Sequence, residues 1–370
     1  MTSRFAIAKE TAVFHLEEII ITLYQGQRKH MRRALWNVVS RFRPGAHEGQ
    51  MVIYLTGARR GAFIDFPAGT KGDAIDTVAY GLVGEVTHQS RMDAVEWIED
   101  RYGLKNMSPE KKRTMEAEGK ARRVLVEAEE VTRRESNLTR ARKMFFGARE
   151  GIRGTLAETY LASRGIDLDQ VDQLVENTFR FSPGFEYWLD APVDGEGKKT
   201  GKGSTWPAMI SAMISDKGKI GACHITYLAR DGQAKAPVDK AKLMWPETAG
   251  MMIRITQGPS GLSLEAAAEA GQSSILGVTE GIEDALSVAI ADPLLRMWAA
   301  GSLPGLLYVP DSPAVSGYLI FKDNDWGKKQ AEALFDKCVN RIRGFGKPVE
   351  VISMPAEWGK DVNDAIRREG

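Results

Sequence analysis

The sequence predicts an α/β protein organised around a parallel sheet near its C-terminus, with α+β units ahead of it. Two observations carry that expectation. Between Ser273 and Asp364, short apolar or β-branched runs at about 274–279, 296–300, 317–322 and 348–353 alternate with helix-period segments. That alternation is the pattern of a parallel sheet. The runs also lead into carboxylates: Glu280, then Asp323 and Asp325, then Asp361 and Asp364. Strand C-terminal ends gather on one edge of such a sheet, where ligands bind. Acids remote in sequence are therefore expected to meet, and their mutual repulsion calls for cations between them. Hard oxygen donors suit Mg²⁺ or Mn²⁺.

The chain of 370 residues is long enough for two or three domains with cores of their own. A net charge of +1 does not announce nucleic acid, so local patches must carry that argument. The two cysteines, Cys223 and Cys338, lie far apart in apolar contexts, which supports neither a disulfide framework nor a cysteine zinc site. Free thiols fit a reducing cytosol. No cleavable leader is evident at the N-terminus, and no run of about 18 apolar residues exists to span a membrane. A cytoplasmic protein with no membrane partner is expected.

Taken in order, residues 1–43 read as helical, with Phe14, Leu16, Ile19, Ile20, Leu23 and Tyr24 as the apolar face. A basic stretch follows, Arg28 to Arg33, then Trp36 and Phe42; basic residues interleaved with aromatics can meet phosphates and stack on bases. A solvated basic helix surface is the alternative. GQMVIYLTGARRGAFIDF reads as a hairpin around Gly57 to Gly61, and Asp73 is a candidate N-cap. Another helix is expected from Ser90 to Tyr102. Residues 105–150, dominated by Lys, Arg and Glu, read as an exposed connecting helix laced by i,i+4 charge pairs. Residues 151–265 form a further unit: a helix capped by Thr155 and ended by Gly165, then strand-like runs FRFSPGFEYW, WPAMISAMIS and IGACHITYLARDG. The glycine- and lysine-rich segment 195–205 lacks the spacing and the preceding strand of a P-loop, so no ATPase motor is inferred.

The order strand–TEG–helix, strand–DND–helix, strand–GKDVNDA, with the Ala300-Gly301-Ser302 turn, resembles a Toprim domain over about 90 residues. This is the metal-binding catalytic fold of DnaG-type primases, topoisomerases and some nucleases. The preceding segments TYLASRGI, PAMISAM and GACHITYLARDGQAKAPVDKAKLMW look like the region ahead of Toprim in phage and plasmid primases. GAFIDFPAGTKGDAIDTVAYGLVG resembles their N-terminal zinc ribbon, but no cysteine precedes Cys223, so that module is expected to be a metal-free derivative. The resemblance implies four parts: a zinc-ribbon-like module over 1–104, a charged helical linker over 105–150, a primase catalytic-core subdomain over 151–265 and a Toprim domain over 266–370. The helicase portion of many relatives has no counterpart after the last helix, so a replicative helicase would be met in trans.

On this reading Glu280, Asp323 and Asp325 are the catalytic set, with Glu280 a ligand or an acid/base. Asp323 and Asp325 are alternate residues past a strand, so both can face one metal. Asp284 lies one helical turn after Glu280, and Asp361, with Asp364, can complete a second metal position. Arg164, Lys235 and Lys242 are expected to bind triphosphate and template, and Arg59 and Arg60 are further nucleic-acid candidates on a turn. His224, inside an alternating apolar run, reads as a core histidine. The resemblance implies a DNA primase making short RNA primers on single-stranded DNA from nucleoside triphosphates by two-metal nucleotidyl transfer, with Mg²⁺ or Mn²⁺ and no zinc. Two other readings stay open: a Toprim-type metal-dependent nuclease, and a non-catalytic adaptor that binds single-stranded nucleic acid.

Overall fold

A computed structural model describes residues 4–24, 35–43, 45–46, 50–195, 199–216, 218–324, 329–355, 357, 359 and 361–369. It divides into two compact units, one of residues 1–135 with 192–201, the other of residues 136–191 and 202–370.

In the first unit, helices α1 (Arg4–Phe14) and α2 (Leu16–Leu23) precede a four-stranded antiparallel sheet. Its strands are β1 (Leu35–Val38), β2 (Met51–Tyr54), β3 (Phe63–Asp65) and β4 (Thr70–Gly72), in sequence order. Helices α3 (Ala74–Val83) and α4 (His88–Arg101) follow, and Ile19, Ile53, Phe63, Val78 and Ile98 are among the buried core. The expected hairpin is present, with Ile53 opposite Phe63. Asp73 caps α3 by accepting from the backbone N–H groups of Ile75 and Asp76, and Asp76 completes a capping box. The helical expectation over 1–43 needs correcting at its end: Leu35–Val38 is a strand paired with β2, and Trp36 is buried rather than displayed. Burial there alternates with period two, a signal too short to stand out beside the charged residues before it. The basic residues 28–33 lie outside the described residues. Asp65 is fully buried and held by Arg43 at 3.3 Å and by the Tyr80 hydroxyl at 3.0 Å, which ties β3 to α3.

The charged stretch is a single helix, α5 (Pro109–Phe146), and the boundary between the two units falls within it. Val124, Leu125 and Val131 on it are exposed.

The second unit holds β5 (Arg149–Glu150), α6 (Leu156–Ser163), β6 (Phe179–Glu186), β7 (Thr205–Ser215), β8 (Ile220–Tyr227), β9 (Lys242–Trp245) and β10 (Met251–Arg254). After these come α7 (Leu264–Glu269), β11 (Ser274–Thr279), α8 (Ile282–Ala291), β12 (Arg296–Ala299), β13 (Val315–Lys322), α9 (Lys329–Arg343), β14 (Val349–Ser353) and α10 (Val362–Glu369). All ten strands join one mixed sheet in the order β14-β13-β11-β12-β10-β7-β6-β5, with β8 added to β7 and β9 to β8. The C-terminal quartet β14-β13-β11-β12 is parallel, and β10 runs antiparallel to both β12 and β7.

The four strand positions expected near the C-terminus match β11 to β14 to within two residues. Both faces of β7 and β8 are covered. Met209, Met213 and Ala222 pack with Ile282 and Leu286 of α8, while Ala208, Ile210 and Cys223 pack with Ala141 and Phe145 of α5. That double burial explains why β8 reads as an almost unbroken apolar run. No described helix is long and apolar enough to cross a membrane.

Candidate active site

The parallel strands deliver their acids to one edge. β11 ends at Thr279, and Glu280 and Gly281 lead into α8. The Ala300 and Gly301 N–H groups donate to the carbonyls of Thr279 and Glu280, each at 2.9 Å, so the turn after β12 is bonded to the first acidic turn. Asp323 follows β13, and Glu280 and Asp323 line one small pocket with Leu303, Leu306, Phe321 and Phe335. Asp325 lies outside the described residues.

Asp284 sits in the first turn of α8, which starts at Ile282, so Glu280 precedes the helix instead of sharing a helical face with it. Gly281 allows this approach, because a Cβ there would run into the Asp284 carboxylate. Asp284 is buried and accepts the Asn363 backbone N–H at 3.0 Å. Burial, and then the charges of Asp361 and Asp323, push its carboxyl up to about 7. Asp361 accepts the Asp364 N–H at 2.9 Å and so caps α10. Asp364 pairs with Arg164 at 3.2 Å. Asn363, absent from the expected set, donates its side-chain amide to Ser287 of α8 and to the Arg164 carbonyl after α6.

Among the described residues, no three His, Cys, Asp or Glu side chains meet in a metal-binding arrangement. The donor chemistry nevertheless fits a hard divalent cation. Asp284 is a buried carboxylate that feels the negative charges of Asp361 and Asp323, a situation that a cation relieves.

Beside the acids lies a second cluster that sequence reasoning missed in part. Glu283, the residue before Asp284, is buried and takes Lys235 on Oε1 and Lys242 on Oε2, both at 3.1 Å. The Tyr160 hydroxyl donates to Oε1 at 2.6 Å. Burial alone would raise the Glu283 carboxyl, but Lys242 and Lys235, with the Tyr160 hydroxyl, outweigh it and hold it well below the usual carboxylate range. Burial and Glu283 together push the Tyr160 hydroxyl up. Burial draws Lys235 down, whereas for Lys242 the Glu283 and Asp284 charges overcome burial and raise it. Glu283 is ionised and both lysines are cations, because each ammonium pairs with one oxygen of the same carboxylate. A signal for Glu283 existed in the sequence. Two successive acids on a helix buried along most of its length, IEDALSVAI, must both have partners.

His224 shares the face of β8 and β9 that carries Lys242 and Met244, where His224 and Met244 are paired in register. It is buried, and burial followed by Lys242 lowers it to about 4, so it is neutral. Arg59 and Arg60 belong to the first unit. Arg59 is exposed, with its guanidinium 5.6 Å from the Tyr54 ring centroid. Arg60 is tied to Glu17 and to the carbonyls of Val13 and Leu55.

Residues 275–370 match the model of the Toprim domain. The C-terminal part of the chain is a Toprim domain. Residues 135–255 match a domain of unknown function, DUF7146. No curated protein matches the chain. Among solved structures, a DnaG primase catalytic domain bound to single-stranded DNA aligns at 15% identity with TM-score 0.42, over 65% of this chain and 79% of that one. A primase domain from Pseudomonas aeruginosa aligns at 18% identity with TM-score 0.41, over 63% and 75%. The zinc-binding and RNA polymerase domains of the Aquifex aeolicus primase align at 15% identity with TM-score 0.37, over 100% and 83%. Likenesses at this level transfer no residue roles. Glu280, Glu283, Asp284, Asp323 and Asp361 thus belong to the Toprim domain, whereas Tyr160, Arg164, Lys235 and Lys242 fall in the DUF7146 segment.

Proposed function

We propose that this chain is a Toprim-type primase, a nucleotidyltransferase that makes short RNA primers on single-stranded DNA. The observation that carries the reading is the Toprim domain, whose acids at one strand edge stand directly beside two lysines from the preceding segment. Oxygen donors for divalent cations, set next to cationic donors for a phosphate chain, are what nucleotidyl transfer requires.

In this reading Glu280, Asp284, Asp323, Asp325 and Asp361 hold Mg²⁺ or Mn²⁺. When bound, the cations neutralise charge developing on the attacking and leaving oxygens. The chain's own residues orient and screen. Asn363 holds Asp284 in place, and the turn at Ala300–Ser302 is bonded to the backbone beside Glu280. Lys235 and Lys242 draw in the anionic triphosphate, Arg164, paired with Asp364, is a further cation for triphosphate or template, and Arg59 and Arg60 are template contacts of the zinc-ribbon-like module. A replicative helicase is the partner proposed to act in trans.

The test is direct. Incubate the full chain with single-stranded DNA, ribonucleotides and Mg²⁺ or Mn²⁺. Short oligoribonucleotides should form with the wild type and fall by at least about a hundredfold with Asp323→Ala. Metal-dependent nicking of the template without oligomer would sink the primase reading in favour of the nuclease.

A further inference from the structure

We propose that Glu283 is a positioning residue: its carboxylate holds the ammonium groups of Lys235 and Lys242 as a fixed pair, and that pair receives the phosphate chain of a nucleoside triphosphate. Only the identity of the anion rests on the nucleotidyltransferase reading; the holding of the lysines rests on the geometry.

Three donors converge on one buried carboxylate. The Glu283 side chain is 5% exposed, while those of Lys235 and Lys242 are 36% and 38% exposed. The negative group is therefore shut away, while both lysine side chains remain partly exposed. Each ammonium has three donors, and one of them is directed at Glu283. Each lysine takes a different oxygen of the carboxylate, so the spacing of the two cations is set by the carboxylate itself. Without it the ammonium groups would repel one another.

The backbone supports the same arrangement. Lys242 opens β9. Lys235 is anchored by an isolated bridge to Leu228, just past β8. The Tyr160 hydroxyl, from α6, fixes the carboxylate from a third direction. Within this cluster two cations against one anion leave one positive charge, beside the acid cluster that begins at the next residue, Asp284. A lone structural ion pair would not need a second lysine. Two ammonium groups held on one carboxylate can each meet one of two neighbouring phosphates of a polyphosphate.

The experiment measures ATP binding to the full chain by titration calorimetry, in EDTA and again with Mg²⁺, for the wild type, Glu283→Gln, Tyr160→Phe and the double variant Lys235→Met/Lys242→Met. The double variant should lose ATP binding. Glu283→Gln should weaken ATP binding about tenfold, although it removes a negative charge from an anion site, and Tyr160→Phe about threefold. In primer synthesis Glu283→Gln should raise the nucleotide KM while leaving kcat within about twofold. If Glu283→Gln binds ATP as tightly as the wild type, or more tightly, the carboxylate is only a counter-charge and the proposal is overturned. Should Glu283→Gln fail to fold by its melting curve, Tyr160→Phe decides, and unchanged ATP affinity in it overturns the proposal. ATP binding that follows Glu283 in a chain making no primer would uphold the positioning role and sink the primase reading. Primer synthesis with ATP binding indifferent to Glu283 and Tyr160 would do the reverse.

Discussion

Asp284 is a residue whose protonation state is set by its surroundings. An ordinary aspartate has its pKa near 3.8, and burial with Asp361 and Asp323 pushes this one up to about 7. The fold thus favours the protonated form. Its stabilising contribution is fully present below about pH 4 and is lost as pH rises through about 7. Asp284→Asn keeps the carbonyl oxygen that accepts the Asn363 N–H and removes the charge. In metal-free buffer it should be more stable than the wild type at pH 8 by about 1–3 kcal/mol, and the two should converge towards pH 4. Melting curves from pH 4 to 8 check this, and a gap that does not change with pH would refute it. Glu283, its neighbour in sequence, has the opposite fate because two lysines and a hydroxyl face it. Adjacent acids on one helix are thus driven in opposite directions by what lies across from them.

At the scale of elements, the site is held by short connections between helices rather than by the sheet alone. Asn363, in the first turn of α10, joins α8 through Asp284 and Ser287 and joins the end of α6 through the Arg164 carbonyl. Arg164 returns to α10 through Asp364. Asn363→Ala removes two side-chain bonds at a residue 1% exposed, leaving the Arg164 carbonyl and the Ser287 hydroxyl without that partner. It should cost about 1–3 kcal/mol in urea unfolding. A loss under about 0.5 kcal/mol would show that α10 is not held this way.

For the whole molecule, two compact units imply two cooperative transitions. Ile98 is fully buried in the core of the first unit and Leu286 in that of the second. Ile98→Ala and Leu286→Ala should each cost about 2–5 kcal/mol. In calorimetry each should lower one transition and leave the other in place. Parallel shifts of a single peak would mean that the units unfold as one.

The strands of the Toprim domain, the hairpin of the first unit and the caps Asp73 and Thr155 were legible because each is a local signal: an apolar run, a turn flanked by alternation, or a side chain that can accept a helix N–H. β1 was not, because four residues of alternation beside a basic stretch carry little information. The acids at the strand edge could be foreseen from strand order, because parallel strands collect their C-terminal ends. Lys235 and Lys242 could be picked out as cations near the site, but not as partners of Glu283. That pairing joins residues 41 or more positions apart, bringing Lys242 of β9 and Lys235 of the loop before it to α8, and Tyr160 enters from 123 positions away. The chain's local chemistry therefore determined which residues would carry charge and where strands would end. Only the tertiary structure decided which charges face one another, and hence that Glu283 stays ionised while Asp284 holds its proton to about pH 7. Coulomb and desolvation energies depend on distances that no stretch of sequence contains.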